Sequence, residues 1–270
     1  MDSVDRYNRH ILFPGIGEAG QKKLGQSRVV VVGCGGLGST AAGALARAGI
    51  GRLRVIDRDL IEYHNLHRQV LYDEEDVKQR TPKAIAAERH LSAANSSIDV
   101  EGVVADVNPR NVEKLVEGAD VIVDGLDNLE GRYLINDVAL KLCIPWVYGA
   151  AVSSFGITMA ILPGRTPCIR CLFSSLPPRE TRVTSDTVGI LNAVPMVVGA
   201  LQAAEAIKVL LGQATPGLLT VDLWSGEFER LAVGGPSPDC PACRGRYEFL
   251  DAGFGVQAQY VSGGNHDKDR

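Results

Sequence analysis

The chain has no run of lysine or arginine, and its formal charge is −4. A polyanion such as nucleic acid therefore finds no basic field on it. Its first residues are charged and polar, without the apolar core of a secretory leader. Uninterrupted apolar runs are scarce as well. The longest, Val194 to Leu211, is broken by Pro195, Gln202, Glu205 and Lys208, which predicts a packed helix rather than a membrane span. No internal repeat is present. The expectation is a cytoplasmic protein with neither a nucleic-acid nor a membrane partner. Its 270 residues, 45% hydrophobic and 22% charged, are enough for a sizeable core and mark a globular rather than a disordered chain.

The stretch from Val29 to Gln69 is the most informative. Val29-Val30-Val31-Val32 is an unbroken β-branched run, which suits a strand buried on both faces of a parallel sheet. Gly33-Cys34-Gly35-Gly36-Leu37-Gly38 follows at once and fits G-x-G-x-x-G. Ser39 to Ala48 then has apolar residues at helical spacing, so the glycine turn opens a helix whose free N–H groups and positive dipole end can hold a phosphate. Leu53 to Ile56 reads as a second strand ending in Asp57, about where a dinucleotide fold places its ribose-binding carboxylate. The alternative reading is a tight turn whose glycines serve packing alone.

An ordinary dehydrogenase would pass from the acid into a crossover helix. Here Asp59 to Gln69 is instead a polar loop without helical period. Asn65 and Arg68 lie on it, and a guanidinium fork there offers bidentate bonds to a triphosphate. Lys83, just after Pro82 at the start of a helix running to about Ala94, is a further candidate for phosphate contact. Taken singly, each of these residues is an ordinary solvated side chain.

Strands at Val29–Val32, Leu53–Ile56, Val100–Val104, Val121–Val123 and Trp146–Tyr148 alternate with helices near Ser39–Ala48, Lys83–Ala94, Asn111–Glu117 and Arg132–Leu142. That βαβ rhythm predicts an α/β chain with a doubly wound, mainly parallel sheet. After Gly149 the style changes: Ile157 to Leu162 is a strand without a following helix, and a late hairpin turns at Ser225-Gly226. Asp124 and Asp127 fall at the carboxyl edge of the fourth strand, where ligands gather in open α/β sheets. Two carboxylates beside a triphosphate suit Mg²⁺, although hydrogen bonding within the turn is the stronger expectation for Asp124.

Cys168-Ile169-Arg170-Cys171 and Cys240-Pro241-Ala242-Cys243 have the spacing of two knuckles in a tetrahedral, structural Cys₄ zinc site. A redox pair would be expected near a thioredoxin-like helix start, and disulfides are disfavoured in the cytosol. Cys34 reads as a small residue packed under the glycine loop, and Cys143 as core.

Arg6-Tyr7-Asn8-Arg9-His10, the glycine loop, Asp57, Asn65-Leu66-His67-Arg68-Gln69, Thr81-Pro82-Lys83-Ala84, Asp124-Gly125-Leu126-Asp127-Asn128 and the two cysteine pairs together resemble the E1-like ThiF/MoeB/HesA superfamily. The motifs run in order from Arg6 to Cys243. The resemblance implies a Rossmann-like domain over residues 1–250, extended by antiparallel strands and a zinc-knuckle region, with 251–270 a flexible tail. It implies ATP-dependent adenylation of the C-terminal glycine of a small ubiquitin-like sulfur-carrier protein ending in Gly-Gly, for thiamin, molybdopterin or related synthesis. ATP would rest on Gly33, Gly35, Gly36, Gly38, Asp57, Asn65, Arg68, Lys83 and Asn128, with Asp127 as the Mg²⁺ ligand. Arg9 would reach the nucleotide of a neighbouring subunit, which implies a homodimer.

Family members with a thioester or acyl-disulfide intermediate carry a cysteine in the loop between the first knuckle and the apolar helix. By motif position Ser185 stands there, and Ser174 to Thr187 contains no cysteine. A hydroxyl is a poor substitute for a thiolate. The expected chemistry ends at the acyl-adenylate, with sulfur supplied by a separate sulfurtransferase. Adenylation of another peptide, an NAD-dependent oxidoreductase and a non-enzymatic nucleotide-binding scaffold are the alternatives.

Overall fold

In the computed structural model, which describes residues 3–178 and 181–251, one eight-stranded sheet organises the chain. Its strands are β1 (Arg28–Val32), β2 (Arg52–Ile56), β3 (Asp99–Val103), β4 (Val121–Asp124), β5 (Trp146–Val152), β6 (Phe155–Ile161), β7 (Leu218–Asp222) and β8 (Glu227–Leu231). The order is β3-β2-β1-β4-β5-β6-β7-β8. Pairings from β3 to β5 are parallel, and those from β5 to β8 antiparallel. This is the doubly wound α/β sheet with an antiparallel extension that the sequence predicts.

The valine run explains the layering. Val29 and Val31 face one core with Leu45, Val55 and Ala206, while Val30 and Val32 face the other with Ile122, Val138 and Trp146. All four valines are fully buried, and each contributes about 1.5–3 kcal/mol of gross hydrophobic stabilisation. The first core lies under α2 (Gly17–Leu24), α3 (Gly36–Ala48), α5 (Lys83–Ala94) and α10 (Ala193–Leu211). The second lies under α6 (Val112–Val116) and α7 (Leu129–Lys141). α10 has the length and apolarity of a membrane span, but Val194, Val198, Gln202, Glu205, Ala206 and Leu210 are buried. It packs on α3, β5 and β6.

Several elements depart from the prediction. α1 (Ser3–Ile11), α2 and α4 (Glu74–Lys78) were not foreseen. α1 is polar and is held from outside: Arg6 Nη1 donates to the Ala94 carbonyl at 3.2 Å, and Asn95 Nδ2 donates to Tyr7 Oη at 2.8 Å. α4 is only five residues long and depends on its cap, where the Asp73 side chain accepts from the Glu75 and Asp76 amides. The polar loop after Asp57 contains a 3₁₀ turn at Tyr63–Asn65. Cys143 is exposed rather than core, because it follows the end of α7 with φ 53°, where the chain turns back. Of the tail expected over 251–270, residues 252–270 lie outside the described residues. Two short helices, α8 (Ile169–Leu172) and α9 (Ser185–Val188), flank the loop between the first cysteine pair and α10.

Candidate active site

β1 and β4 are neighbours, yet the chain leaves them in opposite directions across the sheet. Ligands bind in the crevice at such a switch point, beyond the carboxyl ends of the strands. The glycine loop leaves β1 there, and the Asp124–Asn128 segment leaves β4 there. The two turns are in backbone contact. A Cβ on Gly33 would lie 2.6 Å from the Gly125 carbonyl oxygen, and one on Gly38 would lie 1.9 Å from the Gly33 oxygen. Gly33 also has φ +88°, so packing and conformation both require glycine. Gly35 differs, since a Cβ there would meet nothing closer than Gln69 Nε2 at 3.8 Å. Gly36 faces Pro195 from the first turn of α10. Gly35 is therefore a glycine of this loop that packing alone does not require.

Asp57 is 9% exposed and caps the loop from below: Oδ2 accepts the Cys34 amide at 2.7 Å, and Oδ1 accepts the Asp59 amide at 2.8 Å. Burial raises its carboxyl above the usual range, against the opposing pull of Lys83. A carboxylate has about four acceptor positions, so capacity for a sugar hydroxyl remains. Tyr72 Oη lies 2.9 Å from the Cys34 carbonyl and 3.3 Å from that of Lys83, joining the loop to the start of α5. Cys34 is fully buried and its thiol is pushed up to about 12, which makes it an inert packing residue.

Lys83 is 6% exposed, and its Nζ pairs with Asp59 Oδ2 at 3.0 Å. Arg68 folds back on its own turn, with Nη1 donating to the His64 carbonyl at 2.8 Å. Asn65 is buried, and its Oδ1 accepts the Glu62 amide at 3.1 Å. Across the switch point, Asp124 is fully buried and held by Arg132 Nε at 3.0 Å and by the Leu126 amide at 2.9 Å. Burial raises the Asp124 carboxyl, and Arg132 opposes that rise. Asp127 is exposed at the mouth, and Asn128 Oδ1 caps α7 through the Gly131 amide at 2.8 Å. Asp124 thus shapes the turn, and Asp127 is the carboxylate presented outward.

Arg132 and Gln202 escaped the sequence reading. Arg132 Nη2 also donates to the carbonyls of Leu126 at 2.6 Å and Gly149 at 2.9 Å. Gln202 Nε2 donates to the Asp124 carbonyl at 2.7 Å. Both fix the β4 turn from behind. The only sequence signal for them was polarity inside apolar helices.

Arg9 is exposed on α1 and is not brought to this crevice. Its neighbour Tyr7 packs on Gly49, at the far end of α3 from the glycine loop. With 13 residues in α3, that end is about 20 Å away.

The cysteine pairs converge. Cys168 and Cys240 sulfurs are 3.6 Å apart, Cys171 and Cys243 3.6 Å, and Cys168 and Cys171 3.8 Å. These are too far for disulfides. Four sulfurs about 2.3 Å from one tetrahedral ion stand about 3.8 Å from each other, so the set could hold a metal such as zinc. Burial and the neighbouring thiols push Cys168 up to about 12, a cost that a bound cation removes. The cluster is fastened to α7: the Ile169 amide donates to Asn136 Oδ1 at 3.0 Å, and the Phe249 amide to Asp137 Oδ2 at 2.8 Å.

The ThiF family model matches residues 7–242. The chain is 43% identical over 263 residues to the sulfur carrier protein ThiS adenylyltransferase of Bacillus subtilis, covering 96% of this chain and 78% of that protein. It is 44% identical over 243 residues to the SAMP-activating enzyme E1 of Haloferax volcanii, covering 89% and 88%. Among solved structures, Escherichia coli MccB with ATP superposes with a TM-score of 0.74 at 27% identity, over 88% of this chain and 74% of that one. The chain belongs to the ThiF family of E1-like adenylyltransferases.

Proposed function

We propose that this enzyme adenylates the C-terminal glycine of a small ubiquitin-like sulfur-carrier protein ending in Gly-Gly. The observation that carries the reading is the crevice itself. A phosphate-cradling glycine loop and a buried lysine stand on one side of the β1–β4 switch point, and an outward-facing carboxylate stands on the other. Two relatives above 40% identity are named a sulfur carrier protein ThiS adenylyltransferase and a SAMP-activating enzyme E1.

A carboxylate oxygen of the carrier attacks the α-phosphorus of ATP. The new oxygen–phosphorus bond forms as the bond from the α-phosphorus to the bridging oxygen breaks, and pyrophosphate leaves with the electron pair. The substrate supplies the nucleophile, so the protein aligns groups and neutralises charge. The Gly35 backbone cradles phosphate, Asp57 receives the ribose, and Lys83 turns from Asp59 to the phosphates. Asn65 holds the turn that presents Arg68, which unfolds from the His64 carbonyl toward the leaving group, and Asn128 fixes the start of α7. Asp127 would hold Mg²⁺, which supplies Lewis-acid charge stabilisation.

Arg9 is too far from its own crevice to act there, which supports a homodimer in which it serves the neighbour's nucleotide. A structural Zn²⁺ in the four thiols ties the knuckles to α7. Ser185 replaces a thioester cysteine, so the reaction stops at the acyl-adenylate and a separate sulfurtransferase completes it in the cytoplasm.

ATP–pyrophosphate exchange against candidate carriers ending in Gly-Gly tests this. Exchange that appears only with such a carrier and is lost in Arg68→Ala and Asp127→Ala supports it. No exchange with any carrier overturns it, and a DTT-sensitive covalent carrier adduct overturns the stop at the adenylate.

A further inference from the structure

The segment between the first cysteine pair and α10 is stitched around the crevice at identifiable points. Tyr133 Oη, from α7, lies 2.7 Å from the Phe173 carbonyl and 3.2 Å from that of Ser175. Arg182 Nη1 donates to Glu130 Oε1 at 2.8 Å, and its Nε donates to the Pro177 carbonyl at 2.9 Å. Beyond α9, the Ser153 amide donates to the Gly189 carbonyl and the Leu191 amide to that of Ser153, at 3.0 and 2.9 Å. Asn192 Nδ2 then donates to the His67 carbonyl at 3.2 Å, next to Arg68. The run from Arg182 to Asn192 therefore starts at the first turn of α7, three residues after Asp127, and ends beside Arg68. Under the adenylation reading, it borders the crevice that a carrier tail would have to enter.

We propose that Glu130 and Arg182 form a positioning pair that sets affinity for the polypeptide substrate rather than for ATP. The inference rests on the adenylation reading above. Both side chains are 17% exposed, so their attraction is screened less than that of a surface pair. The arginine fork points its donors two ways, one to α7 and one to the backbone of its own segment. A lysine ammonium carries all three of its donors on one nitrogen and lacks the rigid, spread fork that reaches both acceptors at this separation.

Exchange kinetics with carrier and ATP varied separately test this for wild type, Arg182→Gln, Glu130→Gln and the double variant, with Arg182→Lys as the conservative change. Each glutamine variant is expected to raise the carrier KM about tenfold with the ATP KM within about twofold. The double variant should be no worse than the weaker single, and Arg182→Lys should fall between it and wild type. Melting temperatures within a few degrees of wild type exclude misfolding as the cause. The inference is overturned if the carrier KM is unmoved in both singles, if both KM values rise together, or if the two effects multiply. Absence of exchange in the wild type overturns the adenylation reading and this inference with it, whereas wild-type exchange with unmoved variants overturns this inference alone.

Discussion

Lys83 Nζ lies 3.0 Å from Asp59 Oδ2, with the lysine side chain 8% exposed and the aspartate side chain 51% exposed. The lysine is thus desolvated in advance and held by a partner that water can reclaim. On the proposed reading, exchanging Asp59 for a triphosphate would cost this lysine little solvation. Lys83→Met is expected to cut pyrophosphate exchange by at least about a hundredfold, while the melting temperature moves by only a few degrees. A melting curve beside the exchange assay checks both halves.

The two kinds of glycine in the loop should respond differently. Gly35→Ala places a methyl at ordinary van der Waals distance, 3.8 Å from Gln69 Nε2, so the protein should fold normally and, on the proposed reading, lose ATP affinity by about tenfold or more, read by calorimetric titration. Gly38→Ala drives the methyl into the Gly33 carbonyl at 1.9 Å and is expected to destabilise the fold severely, read by soluble yield and urea midpoint.

Removing Arg132 leaves Asp124 buried without its charge partner. Arg132→Met should cost about 3–5 kcal/mol in urea unfolding. Asp124→Asn combined with Arg132→Met should recover part of that loss, because no bare charge remains. Equal losses in the single and double variants would contradict the assigned pairing.

Asp137 provides a pH signature. Burial pushes its carboxyl up to about 6. The folded state holds the proton more tightly than the unfolded chain, whose aspartates titrate near about 3.9. The resulting stabilisation is fully present below about pH 4 and is lost as pH rises through about 6. Asp137→Asn should match wild type near pH ~4 and exceed it at pH ~7.5 by on the order of 1–3 kcal/mol, in parallel urea titrations. The Phe249 amide keeps an acceptor in the variant.

The four thiols should hold about one zinc ion per chain, released by a thiol-specific mercurial and counted with a metal indicator. Cys240→Ser should lower the melting temperature by several degrees or more and abolish that release, while the ATP KM changes much less. Retention of one zinc in Cys240→Ser would remove the site from these cysteines.

The fold was legible where burial is uniform along the chain. The valine run, the glycine turn and Asp57 form one local βαβ unit, so their order in sequence is their order in space. Zinc-knuckle spacing was equally local, and 72 residues of separation did not hide the convergence of the two pairs. α1 was missed because its stability comes from contacts with Ala94 and Asn95, nearly ninety positions away. Arg132 and Gln202 were missed for a related reason: a buried polar side chain in a helix says that a partner exists but not where it is. Asn65 looked like a free loop amide, yet its oxygen is spent closing a 3₁₀ turn, an i to i+3 relation that polarity alone does not display.

The contact among Gly33, Gly38 and Gly125 has an evolutionary consequence. Every missense change in a glycine codon adds at least a Cβ, and an added Cβ at each of these positions would meet a backbone atom at 2.6 Å or closer. A single substitution at any of the three therefore forces the backbone to shift. On the proposed reading, a lineage shifting its nucleotide preference would vary the perimeter, at Asp57, Asp59, Gln69 or the α10 side, and leave the joint between the two turns untouched.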